Sequence, residues 1–262
     1  MKIFAQLLLV LLLSSPLCSF AESGATPMAP TNSIGPSLGG IIFTGFGVAA
    51  GINPATLPGF KKASVVHLGY TPALNNGEAH QGLLSLATSK GKFGFGMGLT
   101  TAQGSGAGVY GGFAGIGRSF ENVSLGLAVR DQSFSVRSDP EVDIGLTLGS
   151  ERGLKGGLVL YHLNNAARAS VGVGFDGGKK YNLEGTVLLP AFNNLGNNGY
   201  VLSVSANIFI DWFGVYFRTS YFTSGNDYQH AIALNTWLGE NFSLLVQYDT
   251  PQTWTLGLTL KF

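Results

Sequence analysis

The last nine residues of the chain alternate strictly between apolar and small or polar side chains. The apolar positions are Trp254, Leu256, Leu258, Leu260 and Phe262, and threonine, glycine or lysine stands between them. Only an extended strand places a pattern with a period of two on two opposite faces. The segment is therefore predicted to be a strand with one apolar face, as in a membrane-spanning barrel or at the edge of a soluble sandwich.

Composition favours the barrel over the sandwich. Charged residues make up only 11% of the chain and hydrophobic residues 45%, whereas an ordinary soluble domain is about 25% charged. Beyond residue 13, the sequence contains no apolar run of about 18 residues, the length that a transmembrane helix needs. Because only helices and closed barrels satisfy every backbone group in lipid, an all-β transmembrane barrel is predicted.

The first 21 residues are predicted to be a cleaved signal peptide. They carry one basic residue, Lys2, then an apolar run, and they end in small residues up to Ala21. Cleavage after Ala21 would remove Cys18, the single cysteine, so the mature chain would have no thiol chemistry. A lipid-modified Cys18 is the minor alternative. The expected location is the bacterial outer membrane, with outer-membrane lipid as the principal partner.

From residue 63 onward, fourteen segments of about ten residues alternate in the same way, and ten residues is the length of a tilted spanning strand. They are 63–71, 79–88, 92–101, 108–118, 122–130, 141–149, 154–163, 167–175, 180–189, 200–210, 213–222, 229–238, 242–248 and 253–262. Connections after even-numbered segments are tight, whereas most of those after odd-numbered segments are longer. This alternation is typical of an antiparallel up-and-down barrel. Twelve strands remain the alternative count.

Four residues near the C-terminus have a spacing that is known from one class of proteins. Thr255, Gly257, Leu260 and Phe262 form a polar, glycine, hydrophobic, aromatic pattern that resembles the C-terminal signal of bacterial outer-membrane β-barrels. The resemblance implies that a barrel assembly machinery recognises this signal and closes the barrel on its last strand.

Residues 22–61 differ from the predicted barrel of residues 62–262. The first part is rich in proline, serine and glycine. Residues 39–60 are apolar but interrupted by glycine and proline, and are therefore too irregular for a spanning strand. An apolar segment that is neither strand nor helix needs a sheltered place, so a plug in the lumen is predicted.

A short motif within this segment resembles a known family. A stretch rich in glycine and alanine leads into Asn53-Pro54-Ala55 just before the first strand, which is similar to the N-terminal hatch of the long-chain fatty acid transporter (FadL-like) family. The resemblance implies a lumen plug and passive movement of hydrophobic molecules. Asn53, Pro54, Ala55, Phe46 and Phe60 would be the plug or gate residues. The alternative is a segment that merely fills the lumen.

The predicted inner face carries many glycines and a few charges of mixed sign. Missing side chains leave either open space or room for a plug. The charged candidates are Lys92, Arg130, Asp143, Arg168, Glu184 and Arg218. Mutual pairing of these charges, or pairing with backbone of the plug, is a better interpretation than a binding site.

The sequence does not indicate an enzyme or a cofactor site. The four histidines, His67, His80, His162 and His230, do not form a recognisable constellation with serine and carboxylate residues, and no cluster has zinc-ligand spacing. Removing Lys2 leaves 14 basic residues (15 minus 1) against 14 acidic ones, a balance that argues against nucleic acid as a partner. We therefore expect no catalysis, no cofactor and no metal.

The predicted function is an outer-membrane channel for passive passage of small, hydrophobic solutes. One alternative is a structural or lipid-interacting barrel with a blocked pore, which associates with itself through the small residues Gly111, Gly115 and Gly117. A second alternative is a general porin, although no connection is long enough to fold inward as a constriction loop.

Overall fold

The structure is a computed structural model, and it describes most of the chain in segments. The described residues are 41–43, 48–59, 63–72, 80–103, 109–131, 140–150, 152–164, 167–192, 199–210, 212–239, 241–249 and 253–262. The predicted signal peptide, the leader that follows it, and the predicted gate residues Phe46 and Phe60 lie outside the described residues.

Fourteen strands form in the described residues, each where the sequence alternates. They are β1 (Ser64–Thr71), β2 (His80–Lys90), β3 (Phe93–Gln103), β4 (Val109–Phe120), β5 (Val123–Asp131), β6 (Glu141–Gly149), β7 (Gly153–Tyr161), β8 (Arg168–Asp176), β9 (Tyr181–Leu188), β10 (Val201–Ile210), β11 (Phe213–Phe222), β12 (Asp227–Trp237), β13 (Phe242–Asp249) and β14 (Thr253–Lys261). Every predicted strand end agrees to within two residues. The count of fourteen is confirmed, and the alternative of twelve is wrong.

The strands form one closed antiparallel barrel in chain order, and β14 pairs with β1. At this seam Gly69 lies opposite Gly257, and the backbone N–H of Phe262 donates to the carbonyl of Ser64 at 2.8 Å. Closure leaves no strand edge with unpaired backbone groups. The barrel can therefore be surrounded by a solvent that offers no hydrogen bonds.

The connections divide the barrel into two different ends. The connections after even-numbered strands are two to four residues long, and we call this side the short-turn end. Those after odd-numbered strands are mostly longer, up to the connection 189–200 between β9 and β10, and this side is the long-connection end. The short exceptions are the connections 223–226 before β12 and 250–252 before β14.

The outward face of the wall is apolar. In β3, for example, Phe93 and Leu99 are exposed by 57% and 55%, whereas the glycines between the outward residues are buried. Exposed aromatic side chains lie near both ends: Tyr70, Tyr110, Tyr228 and Trp254 near the long-connection end, and Phe93, Phe120, Trp212 and Phe262 near the short-turn end. An apolar band between two aromatic girdles is the surface of an outer-membrane-type β-barrel.

In the described residues, two short helical pieces precede the barrel. They are α1 (Ala49–Ile52) and a 3₁₀ helix, η1 (Pro54–Gly59). No helix in the described part of the chain is long and apolar enough to cross a membrane. Both pieces pack against the inner wall: η1 contacts strands β2 to β6, and α1 contacts β3 to β5. Ala49 and Leu57 are completely buried in this contact.

Deletion of Phe262 tests the predicted assembly signal. Because this residue closes the seam and ends the predicted signal, we expect the deletion to lower the yield of folded barrel in cells, measured as the heat-modifiable band on SDS gels. Phe262→Tyr keeps an aromatic terminus and is the matched control. Wild-type yield of the deletion variant would show that the signal is misread.

Candidate functional site

The inner wall from β2 to β9 is covered by residues 41–43 and 48–59, which we call the inner segment. Glycines on the inward face make this close approach possible. A Cβ atom added at Gly94 would lie 2.6 Å from the Cβ of Leu57, and one at Gly126 would lie 2.8 Å from the Cβ of Pro54. Of the two predicted uses of inward glycines, the structure therefore shows close packing at these two positions rather than open space.

Asn53 organises the inner segment from within. Its side chain is fully buried; its Nδ2 donates to the carbonyl of Ile41 at 2.6 Å, and its Oδ1 accepts from the N–H of Ala55 at 3.0 Å. Its backbone N–H donates to the carbonyl of Ala49 at 2.9 Å. Asn53 thus connects the three parts of the segment: its carboxamide bonds to residue 41 and to the start of η1, and its backbone N–H bonds to α1.

A buried ion pair holds the end of α1 against the wall. Arg130 Nε donates to Asp143 Oδ2 at 2.8 Å, and Arg130 Nη2 donates to the carbonyl of Gly51 at 2.6 Å. The hydroxyl of Tyr161 donates to the carbonyl of Ile52 at 3.1 Å. The last carbonyls of a helix have no partner within the helix, so side chains of β5 and β7 satisfy them here.

The same cluster continues toward the long-connection end. The backbone N–H of His162 donates to Asp143 Oδ1 at 2.9 Å, and His162 Nδ1 lies 2.5 Å from Glu141 Oε2. Asp143 therefore has both oxygens bonded, which a carboxylate that is 1% exposed requires. The sequence prediction missed Tyr161 and His162, because their partners lie on other strands and in the inner segment.

Glu184 is the second anchor of the inner segment. Its two carboxylate oxygens accept the backbone N–H groups of Ile42 and Phe43 at 2.9 and 3.0 Å. Lys155 Nζ lies 5.3 Å from the centre of the Phe43 ring and bonds to Asp176 Oδ2 at 2.7 Å. The inner segment is therefore held at one side by Arg130 and at the other by Glu184.

Most of the predicted lumen charges lie on the inner wall. Arg130, Asp143 and Glu184 are buried there, and Arg168 and Arg218 occupy inward positions of β8 and β11 with partial exposure. The prediction that Lys92 faces the lumen is wrong. This residue lies in the two-residue turn with Gly91 and is exposed. Gly91 has a φ of 63°, which suits a tight hairpin turn and places Lys92 outside the strand.

The prediction that glycines of β4 form a surface for self-association is also wrong. Gly115 and Gly117 face inward, where added Cβ atoms would meet Pro54 and Pro58, and Gly111 is buried on the same face. They cannot admit a neighbouring subunit from the lipid side. The outward residues of β4 in this region include Ile116, which is 57% exposed.

The rest of the inner wall, from β10 through β14 to β1, carries many polar side chains beside an apolar cluster of Ala231, Ala233 and Leu245. Its inward side chains include Ser205, Asn207, Asn235, Gln247 and Thr255, all buried. In the predicted assembly signal, Thr255 and Gly257 lie on this inward face, whereas Phe262 is exposed. The lumen thus has two sides: one covered by the inner segment and one lined with hydroxyl and carboxamide groups.

Comparison with known proteins gives a likeness of shape only. No protein-family model matches the chain, and no curated protein matches it in sequence. Among solved structures, a triple mutant of the Rhodopseudomonas blastica porin has 11% identity and a TM-score of 0.46, with 76% of this chain and 98% of that chain covered. The KdgM porin has 12% identity and a TM-score of 0.46, with 76% of this chain and 99% of that chain covered. We transfer no solute or oligomeric state at this similarity.

Membership of the long-chain fatty acid transporter family is not shown by these comparisons. The resemblance rests on the motif Asn53-Pro54-Ala55, whose buried contacts within the barrel are described above. The roles of these residues as a plug or gate stay predictions.

Substitution of Gly126 tests the packing of the inner segment. A methyl group in Gly126→Ala collides with Pro54, so we expect a loss of about 1–3 kcal/mol in the free energy of unfolding, measured by guanidinium titration in detergent. Gly185→Ala is the matched control, since no atom lies within 4 Å of an added Cβ there. Equal stability of the two variants would contradict the packing role of Gly126.

Proposed function

We propose that the protein is a bacterial outer-membrane channel for the passive passage of small solutes. One observation carries the proposal: the closed wall is apolar outside, but inside, from β10 to β1, it offers hydroxyl and carboxamide groups. A wall of this kind replaces part of the water that a polar solute loses on entering the barrel. A barrel that only filled space in the membrane would not need these groups.

The dimensions support a passage beside the inner segment. Fourteen strands about 4.8 Å apart and tilted by about 40° give a backbone radius of roughly 14 Å. One helix with its side chains has a diameter of about 10–12 Å, which is less than half of the resulting width. The inner segment therefore narrows the lumen toward β10–β14, where the polar side chains lie.

We infer that this passage is narrow. Inward side chains opposite the inner segment are almost inaccessible to water, with Asn207 and Gln247 each 3% exposed. In a wide aqueous pore the same side chains would be open to solvent. In a narrow passage, each solute must touch the wall, and the chemistry of the wall then selects the solute.

The polar wall favours polar solutes over hydrophobic ones. The resemblance to fatty acid transporters implies hydrophobic passage. An apolar molecule, however, would offer no donor to the carboxamide oxygens of Asn207, Asn235 and Gln247, which have no hydrogen-bond partner among the described residues. The sequence offers no long constriction loop for a general porin. The inner segment, anchored at Glu184 and Arg130, supplies a constriction of another kind.

The second candidate function is that of a structural or lipid-interacting barrel whose lumen is blocked. The same burial of the inward side chains favours it. Planar-bilayer conductance and liposome swelling with small sugars separate the two candidates. Steady sugar permeation through the refolded mature protein is the result expected of a channel. A folded barrel that passes neither ions nor sugars would contradict the channel proposal.

Deletion of residues 41–59 tests the inner segment as a constriction. We expect the deletion to increase single-channel conductance, because the segment covers the inner wall from β2 to β9. Heat-modifiable migration on gels verifies that the variant has folded. Unchanged conductance of a folded deletion variant would show that the inner segment does not constrict the passage.

Thiol accessibility tests the position of the passage. The mature chain is predicted to have no cysteine, so Ser203→Cys places one thiol on the inner wall and Val204→Cys places one on the outer wall, where Val204 is 64% exposed. We expect a charged, membrane-impermeant thiol reagent to slow sugar-driven swelling through Ser203→Cys. It should leave Val204→Cys unaffected. The reverse result would place the solute outside the lumen.

A further inference from the structure

One row of paired residues crosses the inner wall from β9 to β2 and contains no charged side chain. Its members are neighbours in the strand register, and between β14 and β1 the hydroxyls of Thr255 and Thr71 bond at 2.7 Å. In order, they are Asn182, Asn207, Tyr216, Ala233, Gln247, Thr255, Thr71 and Gln81. We call this set the neutral row.

The neutral row connects the two ends of the barrel. It starts at Asn182, the second residue of β9 after a short turn, and ends at Gln81, the second residue of β2 after a long connection. Seven steps of about 4.8 Å give a path of roughly 34 Å, and a strand tilt of about 40° converts it to roughly 22 Å along the barrel axis. This rise is close to the height of the apolar band, about 25 Å.

Among the described residues, three carboxamide oxygens of the neutral row have no hydrogen-bond partner: Asn207 Oδ1, Gln247 Oε1 and Gln81 Oε1. The orientation of two of these amides is fixed by their nitrogens. Asn207 Nδ2 donates to Asn182 Oδ1, and Gln247 Nε2 donates to Asp249 Oδ2 at 2.6 Å. Because each nitrogen already has an acceptor, each oxygen is directed away from that contact. A buried acceptor without a donor costs free energy, which a ligand with donors would recover.

The rows on either side of the neutral row also suit a ligand that carries hydrogen-bond donors and apolar groups. On the short-turn side of the neutral row, the register places Phe209, Gly214, Asn235, Leu245 and Gly257. Asn235 adds one carboxamide to this flank, and the other four offer apolar contact or little side-chain bulk. On the other side, Glu184, Arg218 and Asp249 alternate in sign. The path therefore combines hydrogen-bond acceptors with an apolar flank, without a field of one sign.

We propose that the neutral row is a path for neutral polyhydroxylated solutes, that is, small sugars and polyols. This inference rests on the proposed function and names its solute class. Hydroxyl groups of the solute donate to the unmatched carboxamide oxygens in turn, and its C–H groups contact Phe209 and Leu245. An ion in the same passage would lose hydration without meeting an opposite charge in the row.

Swelling of proteoliposomes tests the neutral row. The refolded mature protein is challenged with ribitol and with glycine betaine, a solute of comparable size that has no hydroxyl to donate. We expect ribitol to enter faster than betaine. Asn207→Leu and Gln247→Met, which keep the approximate size of the side chain, should slow ribitol about fivefold, equivalent to roughly one hydrogen bond. They should leave betaine entry unchanged.

Ser243→Ala is the matched control, because Ser243 is a buried inward residue of β13 outside the neutral row. Ribitol entry through this variant should equal that of the wild type. If either row variant fails to refold, Gln81→Met, which removes the third unmatched carboxamide oxygen, replaces it. Equal ribitol entry through the row variants and the control would overturn the proposal that the neutral row is the path of the solute. So would equal entry of ribitol and betaine through the wild type. A folded wild type that passes neither solute would overturn the proposed function together with this inference.

Discussion

The pairing of β14 with β1 is the constraint on which the rest of the structure depends. In lipid, an unpaired backbone N–H or C=O group has no alternative partner, so the sheet must close or not enter the membrane at all. Closure fixes the register around all fourteen strands. That register sends one set of side chains to the lipid and the other into the lumen. The apolar band on the outside and the polar side chains in the lumen are therefore consequences of the same backbone hydrogen bonds.

Three buried charged side chains inside the barrel, Arg130, Asp143 and Glu184, fasten the inner segment to the wall. Breaking a buried ion pair leaves an uncompensated charge, which is strongly destabilising. The contacts of Arg130 with both Asp143 and the carbonyl of Gly51 therefore make the end of α1 part of the wall. Glu184 does the same for Ile42 and Phe43. Between these anchors, inward glycines allow backbone to lie against backbone.

Strand positions could be predicted from the sequence because a period of two is a local signal. Contacts between distant residues could not: Glu184 and Ile42 are separated by 142 positions, and nothing in either neighbourhood indicates the other. The β4 glycines were misassigned because Gly111 and Gly112 occupy both faces of the strand, so the pattern there does not show which face is inward. The neutral row depends on register around the barrel, which no single strand contains.

The seam between β1 and β14 lies away from the strongest contacts of the helical pieces, since α1 and η1 pack chiefly on β2 to β6. The inner segment also precedes every strand in the chain. A growing sheet can therefore wrap around this segment while its first and last strands are still apart. The final pairing of β14 with β1 then closes the wall one strand beyond β2, beside the part that the helical pieces already cover.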